Sequence, residues 1–217
     1  MAGIQLESLA ERLELCDQLF FGRDRMLAPQ DLPGRYGRVI KALDHVLESM
    51  ACESVVAGGW AVWFHGFEGR MTQDVDIALA ADRIEEFLRV APVAGFEVIP
   101  QKPGRWPKVR HKETGIKVDI LPEGAQPGTP SRPALTTIPH PSKLGAAGTK
   151  LRYIELAPLI ELKLAAGRPQ DEADVAKLIQ QNHAKVPAIR QHLASVHAVY
   201  VAAFDRLVER AREQQDE

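Results

Sequence analysis

The chain has 217 residues, 45% apolar and 26% charged, with 16 glycines and 15 prolines, which is ample for one globular domain with a buried core. A formal charge of -2 excludes a chromatin-like or membrane-surface polycation, although an acidic average can hide a local basic site. Cys16 and Cys52 make neither a disulfide framework nor a metal cluster, and no apolar run approaches the roughly 18 residues of a membrane span, so a cytoplasmic protein with no membrane partner is expected.

Leu6, Leu9, Leu13, Cys16 and Phe20 recur at steps of three and four and predict a first helix. After a break between Pro29 and Pro33, Val39, Ile40, Leu43, Val46, Leu47 and Met50 predict a second. A short strand over 54–57 then ends at Gly58 and Gly59, and a short helix over 60–65 is closed by Gly66. From 72 to 79 the pattern alternates strictly, with Val75, Ile77 and Leu79 on one face and Asp74, Asp76 and Ala78 on the other. Asp82 and Glu85 suggest a capping box for a helix through Val90, and 95–100 and 117–121 read as strands. Residues 122–141 hold six prolines and no hydrophobic period, which predicts an irregular surface loop. A last strand near 152–156 precedes helical patterns at 158–166, 170–182 and 187–212, and the polar end from 209 onward is expected to fray.

Asp74 and Asp76, two apart on a strand, point the same way about 6.5 Å apart and can share a metal such as Mg²⁺ or Mn²⁺. Asp119 stands among Val118, Ile120 and Leu121, where an uncompensated carboxylate would be costly, so a neighbouring cation is expected there. If the two strands pair, three carboxylates converge as metal-assisted phosphoryl or nucleotidyl transfer requires, with Asp119 a candidate general base. Gly58 and Gly59 have no Cβ to keep phosphate oxygens from the backbone N–H groups.

The order of these residues resembles the DNA polymerase β-type nucleotidyltransferase superfamily, most of all its AbiEii-like bacterial branch. It rests on the 55–59 segment ending Gly58-Gly59, on the 70–77 segment holding Asp74 and Asp76, and on Val118-Asp119-Ile120. It extends to a helical stretch at 159–175 with Lys163, Asp171 and Asp174. The resemblance implies an α+β fold: a small mixed sheet with packed helices and a helical C-terminal part. On that reading 1–50 are N-terminal helices, 51–157 the nucleotidyltransferase core and 158–217 a C-terminal helical region.

The resemblance also implies a nucleoside triphosphate donor, pyrophosphate release, and an acceptor hydroxyl on a tRNA end, a protein or a small molecule such as an antibiotic. Because the branch includes toxins, it implies a companion antitoxin as a partner, and it places Lys163, Asp171 and Asp174 in the active site. Trp60 departs from the Ser or Thr that often follows the glycine pair, and it leaves a non-catalytic subunit acting by protein contact as the alternative.

Several of these residues also have plainer readings. Gly-Gly is often just a turn and Asp-x-Asp an edge-strand device. Arg70 and Thr72 suit phosphate contact or a solvated strand entry, and Lys163, Asp171 and Asp174 suit a structural ion network. His65 is expected to cap its helix or face solvent, and Trp60 and Trp63 to join the core. Between 102 and 117, Lys102, Arg105, Lys108, Arg110, Lys112 and Lys117 face a single acid, Glu113, a composition that suits a polyanion such as RNA or a solvated hairpin.

Overall fold

A computed structural model describes residues 27–67, 70, 72–129 and 132–216, with side chains to 213. The first helix expected from Leu6 to Phe20 lies outside the described residues.

The fold is α+β, built on a mixed six-stranded sheet in the order β3-β4-β5-β2-β1-β8. The strands are β1 (Val55–Ala57), β2 (Val75–Leu79), β3 (Phe96–Ile99), β4 (Lys108–His111), β5 (Lys117–Pro122) and β8 (Arg152–Tyr153). A separate hairpin pairs β6 (Gly128–Thr129) with β7 (Arg132–Pro133). The helices are α1 (Gly34–Ser49), α2 (Gly58–Phe64), α3 (Ile84–Val90), α4 (Leu156–Ala166), α5 (Pro169–Gln181), α6 (Val186–Val196) and α7 (Ala198–Asp216).

Apolar side chains at three- and four-residue steps make α1 amphipathic, and Val39, Ile40, Leu43 and Leu47 are fully buried in one continuous core. In β2 and β5, Val75, Ile77, Val118 and Ile120 are all buried on one face, which leaves Asp76 and Asp119 on the other. These strands run parallel at the centre of the sheet, in a register that sets Asp76 directly beside Asp119. Phe204 of α7 and Leu193 of α6 are fully buried, so the C-terminal helices share that core.

Several expectations from the sequence need correction. Asp82 does not cap α3: a 3-10 turn at Ala81–Arg83 leads in, and the helix begins at Ile84 with no side-chain cap. The helix expected over 187–212 is two helices. His197 is extended (φ -162°, ψ 132°) and its Nδ1 accepts the Val199 N–H at 3.2 Å, which ends α6 and starts α7. The 122–141 loop contains the β6–β7 hairpin, and β4, which carries charge at alternate positions, was not read as a strand. Gly58 and Gly59 lie inside the first turn of α2 rather than ahead of it.

Candidate active site

The glycine pair and the carboxylates meet because β1 is antiparallel to β2, with Ala57 opposite Asp76. The chain therefore turns into α2 directly against that carboxylate. Gly58 has φ +61°, and a Cβ there would lie 1.8 Å from Asp76 Oδ2. A Cβ on Gly59 would meet Thr72 at 2.7 Å, so Thr72 closes over the second glycine. Both positions need glycine, the first for its backbone angle and both for close approach. Asp74, half-buried, stands in the bend before β2.

Asp119 is held on one side only. Its Oδ2 accepts a hydrogen bond from Lys108 Nζ at 2.6 Å, while Oδ1 is buried with no hydrogen-bond partner. Lys108 is its cross-strand neighbour on β4, so the cation expected beside Asp119 comes from a strand that the sequence did not reveal. Burial, then the charges of Asp119 and Asp74, push the Asp76 carboxyl up to about 6, against the opposing pull of Lys163 and Arg168.

Lys163 and Arg168, which exert that pull, stand on either side of the corner between α4 and α5. Gly167 (φ +59°) ends α4 and Pro169 opens α5 at its first position, as expected for such a junction. The sharp corner brings Lys163, 6% exposed, onto two acids with no exposure: Nζ lies 3.0 Å from Asp171 Oδ1 and 2.7 Å from Asp174 Oδ2. Asp171 also accepts from Arg168 Nε at 2.6 Å, and Asp174 from Gln170 Nε2 at 2.9 Å. Burial alone would raise the Asp171 carboxyl, but its hydrogen bonds and ion pairs to Arg168 and Lys163 hold it below its ordinary value.

Arg70, expected at phosphates or at a solvated strand entry, pairs with Asp174 at 3.0 Å and ties the chain ahead of β2 to α5. Arg168 was not singled out in the sequence. Its signal is position, since a residue between a helix-ending glycine and a helix-opening proline must stand at the corner.

Trp60 is 4% exposed and lies edge-on to Tyr36 with ring centroids 4.6 Å apart, so its indole belongs to the core. His65 closes α2, and its Nε2–H donates to the Ile154 carbonyl at 2.8 Å. Among the described residues, no three His, Cys, Asp or Glu side chains are already grouped to hold a metal ion, and no helix is long and apolar enough to cross a membrane.

Residues 39–130 match the family model described as aminoglycoside-2''-adenylyltransferase, a span of under half the chain. The crystal structure of ANT(2'')-Ia in complex with adenylyl-2''-tobramycin is a similar solved structure. It is 15% identical, with a TM-score of 0.44, covering 82% of this chain and 97% of that one. No curated protein matches. The matched span takes in the Gly58 turn and the strands that bear Asp76 and Asp119, so this part of the chain carries a nucleotidyltransferase core, similar to that of the aminoglycoside-2''-adenylyltransferase family.

Proposed function

We propose that the protein transfers a nucleoside monophosphate, AMP by the family match, from a nucleoside triphosphate to an acceptor hydroxyl. One observation carries the reading: a turn without Cβ atoms backs onto Asp76, and the register partner of Asp76 is Asp119. At Gly58 a Cβ would displace the Asp76 carboxylate and at Gly59 it would strike Thr72, so only glycine lets the chain turn this close to the carboxylate, and the donor phosphates are assigned to the backbone of this turn. The acceptor oxygen attacks the α-phosphorus and forms the new P–O bond. The bond from that phosphorus to the bridging oxygen breaks, and its electron pair leaves with pyrophosphate. The hydroxyl proton passes to Asp119 Oδ1, the carboxylate oxygen without a partner, while Lys108 fixes Oδ2.

The donor set fits a hard divalent cation, Mg²⁺ or Mn²⁺. Adjacent carboxylates, one of them raised to about 6 by burial and then by its acidic neighbours and the other with a buried orphan oxygen, form a site that a cation would relieve. Asp74, Asp76 and Asp119 are the residues that would hold it, and it would supply charge neutralisation at the phosphate oxygens. Lys163 and Arg168 keep positive charge beside Asp76, with Asp171 and Asp174 fixing their positions. A companion antitoxin belongs to this reading through the resemblance to the AbiEii-like branch alone, and a cytoplasmic setting through the cysteine usage of the chain.

Calorimetry with each triphosphate and Mg²⁺ tests the reading. Saturating ligand at about 100 times Kd should stabilise the protein by about 2.7 kcal/mol. Gly58→Ala should abolish that gain, because the added methyl displaces the Asp76 carboxylate, while the left-handed backbone costs about 1–2 kcal/mol of stability. Equal triphosphate binding by Gly58→Ala and the parent would contradict the placement of the phosphates.

A further inference from the structure

Of the three carboxylates assigned to the metal, Asp76 and Asp119 are placed by the sheet and Asp74 is not. β2 pairs with β5 from Val75 onward and with β1 from Asp76 onward, and β1 ends there because the chain turns away at Gly58. Asp74 therefore lies in the bend beyond the last rung of both ladders. Its position has to come from side chains that hold the bend.

Tyr36 supplies such a hold from the first turn of α1. Its hydroxyl donates to the Thr72 carbonyl at 3.2 Å and stands 3.5 Å from the Gln73 carbonyl, and these two residues lie directly ahead of Asp74. Thr72 Oγ1 in turn donates to the Asp74 carbonyl at 3.3 Å, so the contact reaches the ligand residue through one further hydrogen bond. Thr72 is also the residue that closes over Gly59. The buried Tyr36 ring packs edge-on against Trp60, in the first turn of α2, with centroids 4.6 Å apart. One side chain thus spans both walls of the site, with its ring on the helix that opens with the glycine pair and its hydroxyl on the bend that carries Asp74. Arg70 anchors the start of the same segment to Asp174 of α5.

We propose that Tyr36 is a positioning residue for the metal site: its hydroxyl holds the backbone of Thr72 and Gln73 and so sets where the Asp74 carboxylate stands as a ligand. The inference rests on the nucleotidyl-transfer reading and extends it to a residue of α1 whose action runs through the backbone of the bend. A ligand residue ordered before the ion arrives need not be ordered by it, and outer partners that fix a ligand are worth about 10- to 100-fold in metal affinity. Trp60 has its part in this arrangement too, since it seats the ring from which the hydroxyl reaches the bend.

The test is Tyr36→Phe, which keeps the ring against Trp60 and deletes only the hydroxyl. Mn²⁺ is titrated into the metal-free protein, with and without ATP, and followed by electron paramagnetic resonance at a temperature well below melting. Mn²⁺ affinity should fall about tenfold or more, while the melting temperature falls by less than about 6 °C, the loss of one hydrogen bond. In an Asp74→Asn background the same substitution should cost no further Mn²⁺ affinity, because Tyr36 acts through Asp74. Equal Mn²⁺ affinity in Tyr36→Phe and the parent, or the same loss with Asp74→Asn as without it, would overturn the proposal and leave the transfer reading standing. A parent protein that takes up no Mn²⁺ even with ATP would overturn the transfer reading and this inference together, so the two failures are distinguishable.

Discussion

Lys163→Met is expected to destabilise the fold by about 3–5 kcal/mol, the cost of leaving a buried charge without its partner. Lys163 Nζ serves two carboxylates of zero exposure, Asp171 at 3.0 Å and Asp174 at 2.7 Å. Methionine fills the same space but returns no charge. Arg168 and Gln170 still reach the two acids, which places the loss toward the lower end of that range. Arg168→Ala removes a side chain that is 65% exposed, and its effect on stability should stay within about 1 kcal/mol. Urea unfolding of both variants checks the contrast; an unchanged midpoint for Lys163→Met would show that the buried network contributes nothing to stability.

The second large effect has opposite signs for stability and for function. Asp76→Asn should stabilise the metal-free protein at neutral pH by about 3 kcal/mol and lower transfer by about 10²- to 10³-fold. The folded Asp76 carboxyl is raised from 3.8 to about 6, so between those values the folded state binds more protons than the unfolded chain. The contribution of Asp76 to stability therefore falls as pH rises through that window and is fully unfavourable above it. Asparagine has no such titration. The stability gap between variant and parent should open from about pH 4 to 6 and then stay constant, a course that thermal melts at stepped pH would follow. A gap that closes with rising pH would mean that the cations beside Asp76, not Asp119 and Asp74, dominate its surroundings.

The alternation from Val75 to Leu79 around Asp76, the apolar run around Asp119 and the glycine pair were readable from the sequence because each is a local pattern with a period of two or a single conformational demand; Asp74, expected on the same strand, lies instead in the bend before it. The Gly167–Pro169 junction is readable for the same reason, as a helix-ending glycine two residues before a helix-opening proline, and it sets the ion network open to Lys163, Asp171 and Asp174 across a helix corner. The structure pairs Lys163 with both acids. What could not be read was register and neighbour. Parallel pairing of Asp76 with Asp119 spans 43 residues, and no local rule selects it over a slipped pairing. Lys108 was lost within a basic stretch that reads as solvated, because Val109 and His111 supply only two inward positions for β4. Arg70 could not be assigned from its strand-entry position, since its partner Asp174 lies 104 residues away on α5. His197 broke a helix that apolar periodicity alone would continue, because a capping bond from its own ring decides the boundary.

Incubation with α-labelled triphosphates, Mg²⁺ and a cell extract tests the central claim most directly. The carboxylate pair and the glycine turn predict label carried onto an acceptor with one pyrophosphate released per label transferred, both lost in Asp76→Asn. Release of inorganic phosphate in place of pyrophosphate, or labelling that persists in Asp76→Asn, would contradict it.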